Sequence, residues 1–413
     1  MSFFYTFSVL LYALIIKCAA FFNVKAKKWT EGRKYLFNNI QNQIDKKYAH
    51  VWFHAASLGE FEQGRPVIEE FRKQYPHYKI VLTFYSPSGF EIRKNYSGAD
   101  YIYYLPVDTS KNAKKFLNIV NPSMVFFIKY EFWFNFIQQI HNRNIPLFFF
   151  SVKFRPEQHF FQWYGSWFRT KLKNISWFFV QDESSKQLLE KINVHNISVS
   201  RDTRFDRVLS VSIHKKQFPL VERFAENSKV LIAGSTWPVD EEFLIKFINA
   251  KQQNIKIILA PHEIHLERIS SFQSRIGVKS IKFSEISEQN ISGAEVLIID
   301  NIGMLLHLYQ YSYIAYIGGG FGKNIHNILE AATFGKPVIF GPAFQKFQEA
   351  VDLISLGGAF PVNNYNEFRT TIQLLFTDSK KLDNASEICK KFVIDNSGAT
   401  SIIMKKIALE IAD

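Results

Sequence analysis

The sequence predicts an α/β protein of two doubly wound, Rossmann-like domains facing a central cleft, preceded by a membrane-associated helix. Three observations predict it. From about residue 50, short apolar runs alternate with longer amphipathic ones; the alternation pauses once, between about Arg207 and Asn227; and the chain opens on an almost wholly apolar stretch. The expected division is an anchor helix over 1–24, a first Rossmann-like domain over 25–206, a linker over 207–227 and a second Rossmann-like domain over 228–413. The last helix is free to pack back on the first domain.

The opening segment, Phe3 to Phe22, is apolar apart from Lys17 and a few hydroxyls. It approaches the roughly 20 residues that span a bilayer. Lys25, Lys27, Lys28, Arg33 and Lys34 follow at once, with Trp29 and Tyr35 among them, the pattern of a cytoplasmic membrane flank. A cleaved signal peptide carries its charges ahead of the apolar run; here the polarity is reversed. Spanning the bilayer and lying in its interface both fit, and Lys17 is near enough to the end to snorkel.

The 413 residues suit two to three domains, and a hydrophobic content of 47% excludes global disorder. A net charge of +13 points to an anionic partner: nucleic acid, anionic lipid or a phosphorylated substrate. The 42 Phe against 4 Met read as a genomic composition bias. With only Cys18 and Cys389, neither a disulfide framework nor a cysteine zinc site can be built, and a reducing compartment fits.

Seven strand-like runs make up the first series: HVWFHAAS, KIVLTFYS, YIYYLP, SMVFFIKY, PLFFFSVK, SWFFVQD and ISVSRDT. Five make up the second: KVLIAGS, IKIILAP, VLIID, YIAYIGG and PVIFG. Strands alternating with helices argue for parallel sheets, whose ligands bind beyond the carboxyl ends of the strands. The loops after each strand are therefore the places to look.

In the second half, the run from Ile314 to Pro342 reads as strand, glycine turn, a helix opening on His326, and strand. Gly318, Gly319 and Gly320 would let backbone approach a phosphate, with the helix dipole behind it. Glu330, one helical turn past His326, would accept from a ribose diol. A tight turn with a surface acid is the plain alternative. Gly234, Ser235 and Thr236 offer backbone and hydroxyl donors to the same phosphate, or a helix cap. In the first half, HAASLGE (His54 to Glu60) leaves a strand and begins a helix. Glu60 there is a general-base candidate, or a residue that merely complements the helix dipole; Ser57 and Gly59 precede it, and His54 reads as structural. Ser86, Ser88 and Gly89 form a second cleft segment or an ordinary cap. Lys153 and Arg155 are candidates for acceptor phosphates, or solvated surface charges. No HExxH, paired CxxC or acidic-pair motif supports a metal, and no cofactor is implied.

Assembled in order, the N-terminal segment with its basic flank, HAASLGE, TFYSPSG, YLPVD, KYEFWFN, DTRFDRV, AGSTW, GGGFGKNIHNILEAA with GKPVIFGP, and FQEA resemble the 3-deoxy-D-manno-octulosonic acid (Kdo) transferases over nearly the full length. The resemblance implies a GT-B fold, CMP-Kdo as donor to the C-terminal domain, and a lipid A precursor (lipid IVA) as acceptor in the N-terminal one. It implies metal-free inversion for lipopolysaccharide synthesis at the cytoplasmic face of the inner membrane, among anionic lipids and without nucleic acid. Glu60 matches the family's general base; Gly318, Gly319, Gly320, Asn327 and Glu330 match its nucleotide-binding stretch. Two departures stand out. Where Pro-Arg-His is common, the chain has Pro261, His262 and Glu263, leaving protonated His262 as the replacement cation. The segment often written ETELWPN begins here with Lys129, Tyr130 and Glu131. Other readings are a GT-B enzyme using a UDP-sugar, of lipid A disaccharide synthase or epimerase type, a membrane-associated nucleic-acid binder, and an inactive scaffold.

Overall fold

Every expected strand forms in the computed structural model, which describes residues 1–250 and 254–412. The first unit comprises Met1–Arg207 and the chain from Ser397 onward. Its parallel strands β1 (His50–Ala55), β2 (Lys79–Phe84), β3 (Tyr101–Tyr104), β4 (Pro122–Ile128), β5 (Leu147–Val152), β6 (Trp177–Val180) and β7 (Ile197–Val199) lie in the order β3-β2-β1-β4-β5-β6-β7. The second unit, Val208–Asn396, holds β8 (Lys229–Thr236), β9 (Ile255–Pro261), β10 (Ser280–Lys282), β11 (Val296–Ile298), β12 (Ile314–Ile317), β13 (Val338–Phe340) and β14 (Ala359–Pro361), in the order β10-β11-β9-β8-β12-β13-β14. Strands β10 and β14 went unread in the sequence; each has three residues at a sheet edge, too few to show a period.

Strand β1 shows why the sheet is parallel and central. All six of its residues are buried, so both faces need apolar cover. On one face Phe53 stacks on Phe126 at 4.6 Å with Phe71 edge-on; on the other Trp52 meets Phe116, Phe127 and Phe136. The abundant phenylalanines are thus core material.

The helix Ser2–Ala19 is long and apolar enough to cross a membrane, and only 6% of it is buried. It is nevertheless fastened to the first unit. The Tyr5 hydroxyl donates to Asp108 at 2.6 Å, Asn135 Nδ2 donates to Thr6 at 3.2 Å, and the Trp167 indole donates to Ser2 at 3.3 Å. Two members of the expected membrane flank are corrected. Trp29 is buried, and the Arg33 guanidinium donates to the carbonyls of Leu105, Tyr85 and Trp29 while lying 4.0 Å over the Trp29 ring. Burial lowers its pKa to about 9.

Residues 207–227, expected as a linker, carry two helices, Thr203–Ile213 and Pro219–Ala225. The first begins in one unit and ends in the other, a continuity that a search for turn residues does not see. The C-terminal helix Ala399–Ala412 belongs to the first unit. Ile403, Met404 and Ile407 join the core beside Val67 and Phe71 of the helix Leu58–Gln74. Asp206 fixes its start, accepting from Gly398 N at 2.5 Å, Thr400 N at 2.6 Å and the Thr400 hydroxyl at 2.7 Å. Ile407→Ala removes a fully buried side chain and is expected to destabilise the first unit by about 2–5 kcal/mol; chemical denaturation followed by circular dichroism measures it, and a loss below about 0.5 kcal/mol contradicts the docking.

Candidate active site and nucleotide loop

In the first unit the strand order reverses between β1 and β4, so the connections leaving their carboxyl ends diverge and open a crevice. Glu60 enters it from β1. Ser57 is the N-cap of the helix Leu58–Gln74 and Glu60 its N3 residue, closing a capping box. Ser57 N donates to Glu60 Oε2 at 3.0 Å. Glu131 enters from β4, buried among aromatics, and accepts from the Trp133 indole at 2.7 Å. Burial and then the Glu131 charge push the Glu60 carboxyl up to about 7, against the pull of Lys129 and the backbone amides of Ala56 and Ser57. The general-base and capping readings of Glu60 are thus compatible: the cap holds the group that the crevice tunes.

Behind Glu131 lies a polar chain that sequence reasoning passed over. His54, fully buried, sets Nε2 3.2 Å from Glu131 Oε2 and Nδ1 2.9 Å from the Thr83 hydroxyl, which accepts from the Trp52 indole at 2.7 Å. Nδ1 also lies 3.1 Å from the Thr83 carbonyl, and the Trp133 indole donates to Nε2 at 3.0 Å, so both ring nitrogens have partners. His54 is structural, as expected, and it aims the acid beside Glu60. Lys129 turns the chain out of β4 with φ of +65°, a conformation costing a non-glycine residue about 1–2 kcal/mol; local strain of this kind gathers at functional sites.

The neighbouring loop keeps its plainer reading. Ser86 caps the helix Pro87–Arg93, accepting from Ser88 N at 3.2 Å, and its own amide donates to Ala56 at 2.7 Å. A Cβ on Gly89 would come within 3.1 Å of Ser57 backbone, so this glycine lets the two loops pack. Gly59 has open space around it. Lys153 is ion-paired with Asp182 at 3.2 Å, and Arg155 is exposed near Tyr130.

In the second unit the order reverses between β8 and β12, and their loops meet there. The glycine turn is corrected on two points. First, two of its amides are used: Gly318 N donates to Gly234 O at 2.9 Å and Gly319 N to the Asp240 carboxylate at 3.0 Å. A Cβ on Gly318 would lie 2.3 Å from Ser235 O, and one on Gly320 2.6 Å from Gly341 N. These glycines admit neighbouring backbone, and Gly319 supplies a φ of +91°. Second, no helix opens at His326; the helix is the single turn Leu329–Ala332, so Glu330 and His326 share no helical face. Asn327 instead caps that turn, accepting from Leu329 N at 3.2 Å and donating to Glu330 Oε1 at 3.2 Å. The two side chains are thereby brought together.

Thr236 is also corrected. It is buried and its hydroxyl donates to Glu241 at 2.9 Å, where Arg268 Nε donates to the other carboxylate oxygen at 2.9 Å. Ser235 sits at φ of +54° beside Gly318. His262 lies in an aromatic stack with Trp237 at 4.7 Å and His326 at 4.3 Å. The Trp237 indole donates to His326 Nε2 at 3.0 Å, and burial with His262 lowers the His326 pKa to about 4. The contacts of Glu241 with Arg268 and of Asp240 with Gly319 gave no signal in the sequence, since these partners lie 27 and 79 residues apart. A cavity of about 440 Å³ follows the ends of β8, β9 and β11, lined by Ser235, Pro261, His262, Asn301 and Gly303 among others.

Two parallel sheets of Rossmann type, each with its loops converging at a switch point, define the GT-B architecture. The chain aligns with the UDP-GlcNAc 2-epimerase of Neisseria meningitidis bound to UDP-GlcNAc at 18% identity and a TM-score of 0.64, over 87% of this chain and 99% of that one. It aligns with Acinetobacter baumannii MurG at 11% and 0.54, over 87% and 99%. The sequence gives the particular relationship. The family model described as 3-deoxy-D-manno-octulosonic-acid transferase (kdotransferase) matches residues 27–207. A 3-deoxy-D-manno-octulosonic acid transferase of Haemophilus influenzae is 24% identical over 96% of both chains, and that of Chlamydophila psittaci 26% over 84% of this chain and 82% of its own. The chain resembles the Kdo transferases over nearly its whole length, and the matches support a glycosyltransferase.

The carboxylate pair has a direct physical test. By ¹³C NMR of carboxyl-labelled protein, Glu60 is expected to titrate near 7. In Glu131→Gln the neighbouring charge is gone and the midpoint falls. An unmoved midpoint shows that the two groups do not sense each other.

Proposed function

We propose that the chain moves Kdo from CMP-Kdo to a lipid A precursor, lipid IVA, with inversion at the anomeric carbon and no metal. The observation that carries the reading is the Glu60 carboxyl, held at the end of β1 with its pKa raised to about 7. A base tuned to that range holds a useful deprotonated fraction at neutral pH and still takes a proton from an alcohol as it attacks. Glu60 would accept the proton of the sugar hydroxyl while that oxygen bonds to the anomeric carbon; the bond to the CMP phosphate breaks on the opposite side. Asn327 and Glu330 would hold the ribose. The exposed helix Ser2–Ala19 and the lysines after it support a place at the cytoplasmic face of the inner membrane, where a lipid acceptor is met.

The test is a mass-spectrometric transfer assay with detergent-solubilised protein, lipid IVA, CMP-Kdo made in situ and a chelator throughout. The expected product is heavier by one or more Kdo units; transfer only from a UDP-sugar, or only without chelator, contradicts the donor or the metal-free mechanism. Glu60→Ala is expected to lower turnover about 10²- to 10⁴-fold with CMP-Kdo binding retained. Loss of binding in step with turnover removes Glu60 from the role of base. For Glu330→Ala, calorimetry is expected to show weaker CMP binding, and unchanged affinity refutes the ribose contact.

A further inference from the structure

A second cavity, of about 610 Å³, lies in the first unit and shares no lining residue with the Glu60 and Glu131 crevice. One wall is the helix Ser166–Leu172 with its following residue: Ser166, Arg169, Thr170 and Lys173 recur at helical spacing and face the cavity. Lys191 faces it from the end of the helix Glu183–Glu190, and Phe161, Leu188 and Ile192 supply an apolar lining. No Asp or Glu lines the space, and among the described residues none of the three cations is ion-paired. Arg169 is held in place by donating to the carbonyls of Phe160 and Gln162 at 3.2 and 2.9 Å. Trp163 stands at the rim, 90% exposed. An indole in water beside cations in a half-apolar recess matches the chemistry of the bilayer interface, where Trp gathers and Lys and Arg meet headgroups.

The position favours the same source. Trp167, between Ser166 and the cavity-facing Arg169, reaches the other way: its indole donates to Ser2, and its ring lies 5.8 Å from Tyr5. The wall of the cavity is therefore also the dock of the exposed apolar helix Ser2–Ala19. We propose that this cavity is a binding site for the phosphate headgroup of an anionic bilayer phospholipid, with Arg169, Lys173 and Lys191 as its cationic ligands and Trp163 as an interfacial anchor. Such a site holds the first unit on the bilayer independently of the substrate. The proposal rests on the membrane-surface reading of the N-terminal helix given above.

Flotation of the full-length protein with phosphatidylcholine vesicles, containing or lacking phosphatidylglycerol, tests it. The variant Lys173→Gln/Lys191→Gln is expected to partition on the order of tenfold less onto the phosphatidylglycerol vesicles, with partition onto pure phosphatidylcholine and the thermal melt unchanged. Lys380→Gln/Lys381→Gln, the same charge removed from exposed lysines of the second unit, is expected to change little. Trp163→Ser, at a position without core contacts to lose, is expected to weaken partition onto both vesicles. Equal losses from the two lysine pairs, or none from the first, overturn the site in favour of diffuse attraction. Removal of the phosphatidylglycerol-dependent part by inorganic phosphate, at ionic strength matched with chloride, overturns it in favour of a free-phosphate site. If the wild-type protein fails to float on either vesicle, the membrane reading falls with it; if the wild type floats and the variants float equally, this proposal alone fails.

Discussion

The juxtaposition of β1 and β4 is the constraint on which the active-site reading depends. Parallel strands whose connections run to opposite sides of the sheet leave no loop to cover the gap between their ends. Here that gap receives two carboxylates, Glu60 and Glu131, from segments 71 positions apart in the chain. The aromatic packing on both faces of β1 fixes its register against β4, with His54 opposite Phe127. A slip of one residue would turn His54 and its neighbours to the other face of the sheet. The phenylalanine-rich core thus sets the distance over which one carboxylate feels the other.

Two acids in one crevice take different parts when their surroundings differ. Glu131 accepts from the Trp133 indole and lies against His54 Nε2, and the Thr83 and Trp52 side chains complete the chain behind them. Glu60 has the Ser57 amide and a capping geometry, and lies partly open. The more exposed of the two is the one within reach of a substrate. Charge on Glu131 then raises the proton affinity of Glu60, and Lys129, held at positive φ where β4 ends, moderates it. Removing the lysine or the second acid would move the same titration in opposite directions.

Strand positions and the place of Glu60 were legible because period, length and turn residues are local signals. The glycine turn was legible only in part. Glycine at 318 and 320 announces a close approach but not the approaching group, and that group proved to be the backbone of Ser235 and Gly341. Asp240 reads in the sequence as an ordinary acid in the first turn of the helix Pro238–Asn249. Its role of holding Gly319 N, with Tyr316 donating to it as well, exists only after β8 and β12 pair. Thr236 is a local case: a hydroxyl at a strand end donates to whatever is nearest, and here that is Glu241, five residues on. For Gly318, Gly320 and Asp240 long-range partners decide, and spacing along the chain carries no record of them.

The N-terminal helix joins both halves of the functional reading. Tyr5, Thr6, Val9, Ala13, Ile16 and Ala19, the less exposed residues of the helix, recur at three- and four-residue spacing and form one stripe, while Phe3, Phe4, Phe7, Leu10, Leu11, Leu14 and Ile15 are exposed. Eighteen residues make a rod about 27 Å long. A helix that crosses the bilayer must leave the surface of its own water-facing domain along that whole length. This one is tied through Ser2, Tyr5 and Thr6 at its first turn and has Ala13 buried well beyond its midpoint. Fastening at both places is compatible with a helix lying along the interface, apolar side down. Asp108 makes the joint firm: fully buried, it accepts from Tyr5 and from the amides of Asn135 and Phe136, which open the helix Phe134–His141 immediately after the segment that carries Glu131. The apolar N-terminal helix and the acid beside Glu60 are therefore fixed to the same short stretch of chain, so that any movement of the helix is felt where the crevice opens.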